Sequence, residues 1–387
     1  MGGVWPAMLW PVVGEVALAV AGVVLIGAVL DSALRTFVLP RGARTPLTRW
    51  VFVSLRALFD LLARPARSYE RRDRVMALYA PIGLLSLVGV WVVMVITGFT
   101  FIFRAVSVES WTRAFELSGS SFLTLGFVSP PNDPGDYMIV FAEAAVGLGV
   151  LALLISYLPT IYSAFSRREV LVAKLSVRAG EPPSGVEILI RAQTMQRFNL
   201  LDEFWTEWQT WFAELEETHT SLGMLSFFRS PQPDRSWVTA AGSVLDAAAL
   251  YNSVLAVPWS PNAGACVRGG FLAMRTIADY FGLPYDPDPA STDPISIARD
   301  EFDAACRSFE EARLPMKDDR DQAWRDFQGW RVNYDAVLLA LAGLTMAPYA
   351  PWSSDRSLAR RAGLIKRLAS RRPRTRRSLS DPTAPPA

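Results

Sequence analysis

Every residue from Val75 to Phe103 is uncharged, with Arg74 before the run and Arg104 after it. A helix over this run exceeds the roughly 20 residues that cross about 30 Å of hydrocarbon. Part of the chain therefore belongs in a bilayer, and the remaining segments must be read around that solvent. A first helix is expected from about Pro11 to Leu39, built on "VALAVAGVVLIGAVL" and carrying only Glu15 and Asp31 before Arg35. A secretory signal is the alternative there, but no basic residue precedes the apolar run and Arg35 follows it, which favours a retained span. A third apolar run, Tyr137 to Ser166, is interrupted only by Glu143 and closed by "SRREVLVAKLSVR". Trp5, Trp10, Trp50 and Trp111 fall near the span ends, where indole rings favour the headgroup region. A hydrophobic content of 51% and a positive mean hydropathy agree with partial membrane burial.

Formal charge is only +2, yet Arg outnumbers Lys 36 to 3 and is concentrated. Residues 35 to 74 hold ten Arg against Asp60, Glu70 and Asp73, and a second basic cluster follows the third span. The positive-inside bias then puts both clusters in the cytoplasm, with the N-terminus and the 104–136 connection outside a cell membrane. In the 41–74 linker, Trp50, Val51, Leu55, Leu58, Leu61 and Leu62 share one side of a helix and Arg49, Arg56 and Asp60 lie on others. That pattern predicts an amphipathic helix on the inner leaflet, either a cuff around a bundle or a simple surface anchor.

The 104–136 connection contains "SWTRAFELSGSSFLTLGFVSP", too polar to span and too short to fold alone. Ser110 is placed to cap a short helix that ends before an extended Thr-x-Gly stretch at Thr124. A short helix and an extended segment held between two spans read as a re-entrant loop. Irregular backbone survives at membrane depth where protein buries it or water lines it, and its carbonyls can replace a cation's hydration shell.

"SFLTLGFV" followed by a Gly-bearing apolar helix resembles the pore module of the tetrameric potassium channel family, in its bacterial two-transmembrane form, whose filter is written TVGYG. The resemblance covers residues 75–166, with an outer helix at 75–103, pore helix and filter at 110–130 and an inner helix at 137–165. It places Thr124, Leu125, Gly126, Phe127 and Val128 on the filter. Val128 stands where the family has its last Gly, and Ser129 where an acidic residue follows, so weak discrimination between potassium and sodium is expected. The resemblance implies a homotetramer, because one loop per chain cannot close a ring, and a permeating potassium or other monovalent cation with no further cofactor or metal. Gly147, Gly149 and Pro159 are candidates for an inner-helix hinge or gate, while small residues there also allow close helix packing. Glu143 is an ionisable residue at membrane depth, with Arg113 or the Ser-rich loop as its partner. It is read either as functional or as a brace for the pore helix.

Residues 167–352 become charged and Pro-punctuated and read as a helical cytoplasmic domain. Phe198, Leu201, Trp205, Trp208, Phe212, Leu215 and Leu222 recur at steps of three and four, the seam of a bundle or coiled coil. His219 lies on this seam, as a buried hydrogen-bonded residue or a pH sensor. Further helices are expected at Trp237–Leu255, Gly264–Phe281, Ile295–Arg313 and Arg320–Met346. Asp318, Asp319 and Asp321 lack a calcium-loop pattern and suit an acidic first turn. Cys266 and Cys306 read as core thiols. With one His, no nucleophile pair and no phosphate loop, the composition points away from an enzyme. The 353–387 tail carries ten basic residues between Arg356 and Arg377 and is expected to meet anionic lipid rather than nucleic acid. The whole is an all-α membrane protein of three transmembrane helices plus a re-entrant pore loop, followed by the helical domain. Its expected function is cation conduction, with a non-conducting sensor or scaffold as the alternative.

Overall fold

The structure is a computed structural model that describes residues 5–37, 45–65, 68–106, 110–131 and 133–356, with side chains from residue 12 onward. The expected basic tail, and its lipid contact, lie outside these residues from 357 on. The described residues are all-helical, without a β-strand, and three of the helices are long and apolar enough to cross a membrane. That composition is consistent with a multi-pass membrane protein.

Helix α1 (Trp5–Phe37) lies along α4 (Tyr79–Val106). Their contact is backbone to backbone: a Cβ on Gly98 would stand 2.9 Å from the Gly22 carbonyl oxygen, and one on Gly22 would strike that of Gly98. Small residues permit such an approach in lipid, where dispersion and not hydrophobicity holds helices together. Trp91 Nε1 donates to Ser32 Oγ at 3.2 Å across the same seam, and Val12, Val16, Val20 and Val24 face away from it, exposed. Between these helices, α2 (Pro46–Ala63) starts at Thr45, whose hydroxyl accepts from Thr48 N at 3.2 Å, with Pro46 at the first helical position. It buries Val51, Phe59 and Ala63 and exposes Trp50, Leu58, Leu61 and Leu62, so Val51 leaves the side on which the sequence pattern groups it with those four. Helix α3 (Tyr69–Ala77) follows.

After α5 (Trp111–Phe122), α6 runs unbroken from Pro134 to Ala179. The expected inner-helix end at 165 and domain start at 167 thus fall within one helix. The rise in charge after Ser166 marks a change of surroundings and not of backbone, because the buried residues Arg168, Val172, Leu175 and Ala179 keep helical spacing.

The C-terminal region packs α7 (Gly185–Thr194), α8 (Leu201–Ser221), α9 (Trp237–Val254), α10 (Pro261–Phe281), α11 (Arg299–Glu311), α12 (Arg320–Arg331) and α13 (Asp335–Thr345) around one core. Helix α9 is buried on nearly every side, as its run of Ala, Val and Leu requires. Arg320–Met346, expected as one helix, is two. Asn333 turns its amide onto the Gly329 and Trp330 carbonyls while Arg275 Nε takes the Asn333 carbonyl at 2.9 Å, and these side-chain bonds displace the helical ladder. Asp319 caps α12 through Gln322 N at 2.8 Å, and Asp321 pairs with Arg299 at 2.8 Å. Cys266 and Cys306 are free thiols in the core, both pushed up by burial.

Candidate functional site

Helix α5 and the irregular segment after it fill the space between α4 and α6. Ser110 precedes α5 in an extended conformation but makes no side-chain cap, and its carbonyl instead accepts from Ala114 N at 3.0 Å. The helix buries Ala114, Leu117, Ser118, Ser121 and Phe122. Ser118 joins three helices: its hydroxyl donates to Glu143 on α6 and lies 3.0 Å from the Ile96 carbonyl on α4. Glu143 is fully buried, and among the described residues its Oε2 has no partner. Arg113 does not reach it. That side chain is exposed and its Nη2 stands 3.4 Å from the Ser129 carbonyl, so of the two expected partners for Glu143 the Ser-rich segment is the one in contact.

The chain leaves α5 through Leu123 and then alternates in hand. Thr124 takes φ of 55° and Gly126 φ of 70°, with Leu125 between them outside the left-handed region. Gly adopts this conformation without cost, whereas a β-branched Thr is strained there. Val128, which stands where the resembled family has its last Gly, does not adopt a positive φ, so the constraint falls on Thr124. Ser120 fixes the segment. Nearly fully buried, its hydroxyl oxygen accepts from Phe127 N at 3.1 Å and Val128 N at 3.3 Å, while its carbonyl accepts from Leu125 N at 2.8 Å. Neither Ser118 nor Ser120 was singled out by sequence reasoning. The run "SGSS" on an otherwise apolar helix was the available signal, since buried hydroxyls need partners. Leu125 and Phe127 are 60% and 67% exposed.

Of the proposed hinge residues, Gly147 is a packing position: a Cβ there would collide with the Phe122 carbonyl oxygen at the end of α5. Gly149 is exposed, with open space around it. Pro159 lies inside α6 and the helix continues through it; Thr160 Oγ1 donates to the Ser156 carbonyl at 3.0 Å beside the bond that Pro cannot make.

Just past Pro159, the C-terminal region meets the apolar helices. The 3₁₀ turn Gly223–Phe227 inserts the fully buried Leu225 among Leu84 of α4 and Tyr157, Ile161 and Ala164 of α6. Arg168, one of the buried charges of α6, donates to the Leu225 carbonyl at 2.9 Å, the Phe228 carbonyl at 2.7 Å and His219 Nε2 at 3.2 Å. A second junction grips the end of α13. Its last carbonyls accept from Arg56 on α2 (Leu344, 3.3 Å), Arg229 (Thr345, 2.8 Å) and Tyr69 on α3 (Met346, 3.2 Å), and Arg229 also pairs with Asp73. Cations at a helix C-terminus are favoured by its partial negative charge. Comparisons with protein-family models, curated proteins and solved structures give no match.

Proposed function

We propose that the protein is a cation channel of the potassium-channel type, a homotetramer in the cell membrane that conducts monovalent cations passively through the backbone carbonyls of Thr124, Leu125, Gly126, Phe127 and Val128. The observation that carries this reading is the backbone of that segment. Its Phe127 and Val128 amides are held by the buried Ser120, and the segment lies at the end of a short helix between two apolar helices, the setting in which irregular backbone can line a water-filled path. Exposure of Leu125 and Phe127 in the single chain supports further copies around them. The Arg bias supports an outer N-terminus and outer 124–128 segment with the C-terminal helical region in the cytoplasm, and the basic tail suits anionic lipid there.

Catalysis has no part in this reading. The protein's task is to offer oxygen atoms at a spacing that repays dehydration of the ion. Reconstituted vesicles should therefore pass potassium down its gradient. Gly126→Ala should abolish the flux, because a side chain strains the backbone at φ of 70° and shifts the carbonyls the ion needs. Val128→Gly, which restores the residue the filter pattern has there, should raise the preference for potassium over sodium. Wild type and Val128→Gly both silent across voltage and pH would leave the second reading, a non-conducting sensor or scaffold. That reading is favoured by Val128 and Ser129, which depart from the filter pattern.

A further inference from the structure

A cavity of about 200 Å³ lies in the C-terminal region, between the start of α7, the middle of α9, one face of α11 and the chain after α13. Asp246 and Glu301 bring carboxylates to its wall, Trp352 an indole, and Val186, Ala304 and Ala305 apolar surface. Asp246 is 2% exposed, and both of its hydrogen bonds, from Arg331 Nη1 and Tyr334 Oη, arrive at Oδ1. Its other oxygen takes no donor among the described residues. Arg331 is itself shared, since its Nε serves Asp335 at 2.9 Å. Asp335 is well provided for: Ser296 donates from its backbone N at 2.9 Å and from its hydroxyl, and the residue begins α13, where the helix dipole favours an anion. Asp246 has Tyr334 alone as a supplement, and burial pushes its carboxyl up against the opposing pull of Arg331. Glu301 shares Arg356 with Asp355. Of these charged groups, Asp246 and Glu301 are the two that line the cavity.

We propose that this cavity binds a small organic ammonium ion, with its N–H groups on the unused oxygen of Asp246, Glu301 at the mouth and the Trp352 indole against its alkyl part. A buried anion short of donors is stabilised by a cation that brings them. Indole is the preferred aromatic neighbour for such a cation. The apolar share of the wall suits an organic ion better than a hard metal ion, which demands a shell of oxygens. The wall is also continuous with the second junction: Trp352, whose carbonyl accepts from Arg331, follows Met346 in the segment that Tyr69 and Arg229 hold.

This site stands independently of ion conduction and is tested by binding alone. Full-length protein in detergent is titrated calorimetrically with ethylammonium chloride, against sodium chloride at the same ionic strength. Saturable heat is expected with ethylammonium only, together with a raised Tm. Ala304→Phe, which blocks the cavity from an exposed position without changing a charge, should abolish the heat. Glu301→Gln should weaken binding about tenfold, the loss of one charge-assisted contact. Wild-type protein without saturable heat, equal heat from sodium, or either variant binding as wild type does overturns the proposal.

Discussion

His219 has a protonation state that its neighbours dictate. Nδ1 lies 3.0 Å from the Leu215 carbonyl, which only accepts, and Nε2 lies 3.2 Å from the Arg168 guanidinium, which only donates. The ring is therefore neutral, with its proton on Nδ1. Burial first, and the charge of Arg168 second, lower its pKa well below the ordinary 6.5. Near that pH the unfolded chain takes up a proton that the folded chain refuses. The stability His219 contributes is complete above about pH 6.5 and falls as pH drops beneath it, by about 1.4 kcal/mol per pH unit. The Tm of wild type should consequently fall more steeply between about pH 7 and 5 than that of His219→Gln, whose amide offers Arg168 an acceptor without titrating. Parallel falls in the two proteins would remove His219 from the account. A histidine that stays neutral through the physiological range is a fixed acceptor for Arg168, which favours the buried hydrogen-bonded reading over the sensor.

At the scale of elements, α6 carries three environments on one backbone. Its early turns pack on α5 through Gly147, its middle carries Pro159, and its last turns enter the C-terminal core through Val172, Leu175 and Ala179. A motion of α6 below Pro159 would have to carry Arg168 and Leu225 with it, so the two regions are mechanically joined by a continuous helix and a buried wedge. The glycines separate packing from flexibility. Gly147→Ala should lower the Tm, at a cost of about 1–3 kcal/mol for forcing a methyl group against the Phe122 carbonyl. Gly149→Ala should leave it unchanged or raise it, because nothing lies within 4 Å of the new methyl and Ala suits a helix better. A lower Tm for Gly149→Ala alone would reverse the assignment.

For the whole molecule, what remains uncovered is as informative as the core. Leu125, Phe127, Met138, Phe141, Leu148, Leu151 and Ile155 are exposed along the 124–128 segment and one run of α6. Lipid can cover an apolar helix but not an irregular backbone, so copies of the chain are the cover the proposed function requires. Purified protein in detergent should accordingly have the mass of about four 42.7 kDa subunits. A monomeric or dimeric particle would exclude conduction through a ring of carbonyls. Two junctions, at Leu225 with α4 and α6 and at the end of α13 with α2 and α3, tie the C-terminal region to the helices before it.

Although the stretch expected to be extended at Thr124 is left-handed there, the sequence by itself determined the three long apolar helices, the linker helix α2 and the short helix at 111–122. Each of these is written in local hydropathy, helical period or turn chemistry, which one segment carries without reference to another. It did not determine that α6 continues through Ser166, that Asn333 splits α12 from α13, or that Gly147 is a contact and Gly149 is not. Those depend on which atom of a distant segment arrives: the Phe122 carbonyl, the Arg275 guanidinium, the turn that carries Leu225. Nor could it single out Ser120 from Ser121, or pair Glu143 with Ser118 over Arg113, because a buried hydroxyl or carboxylate is defined by its partner, and only the tertiary structure brings the partner within 3 Å or so of it.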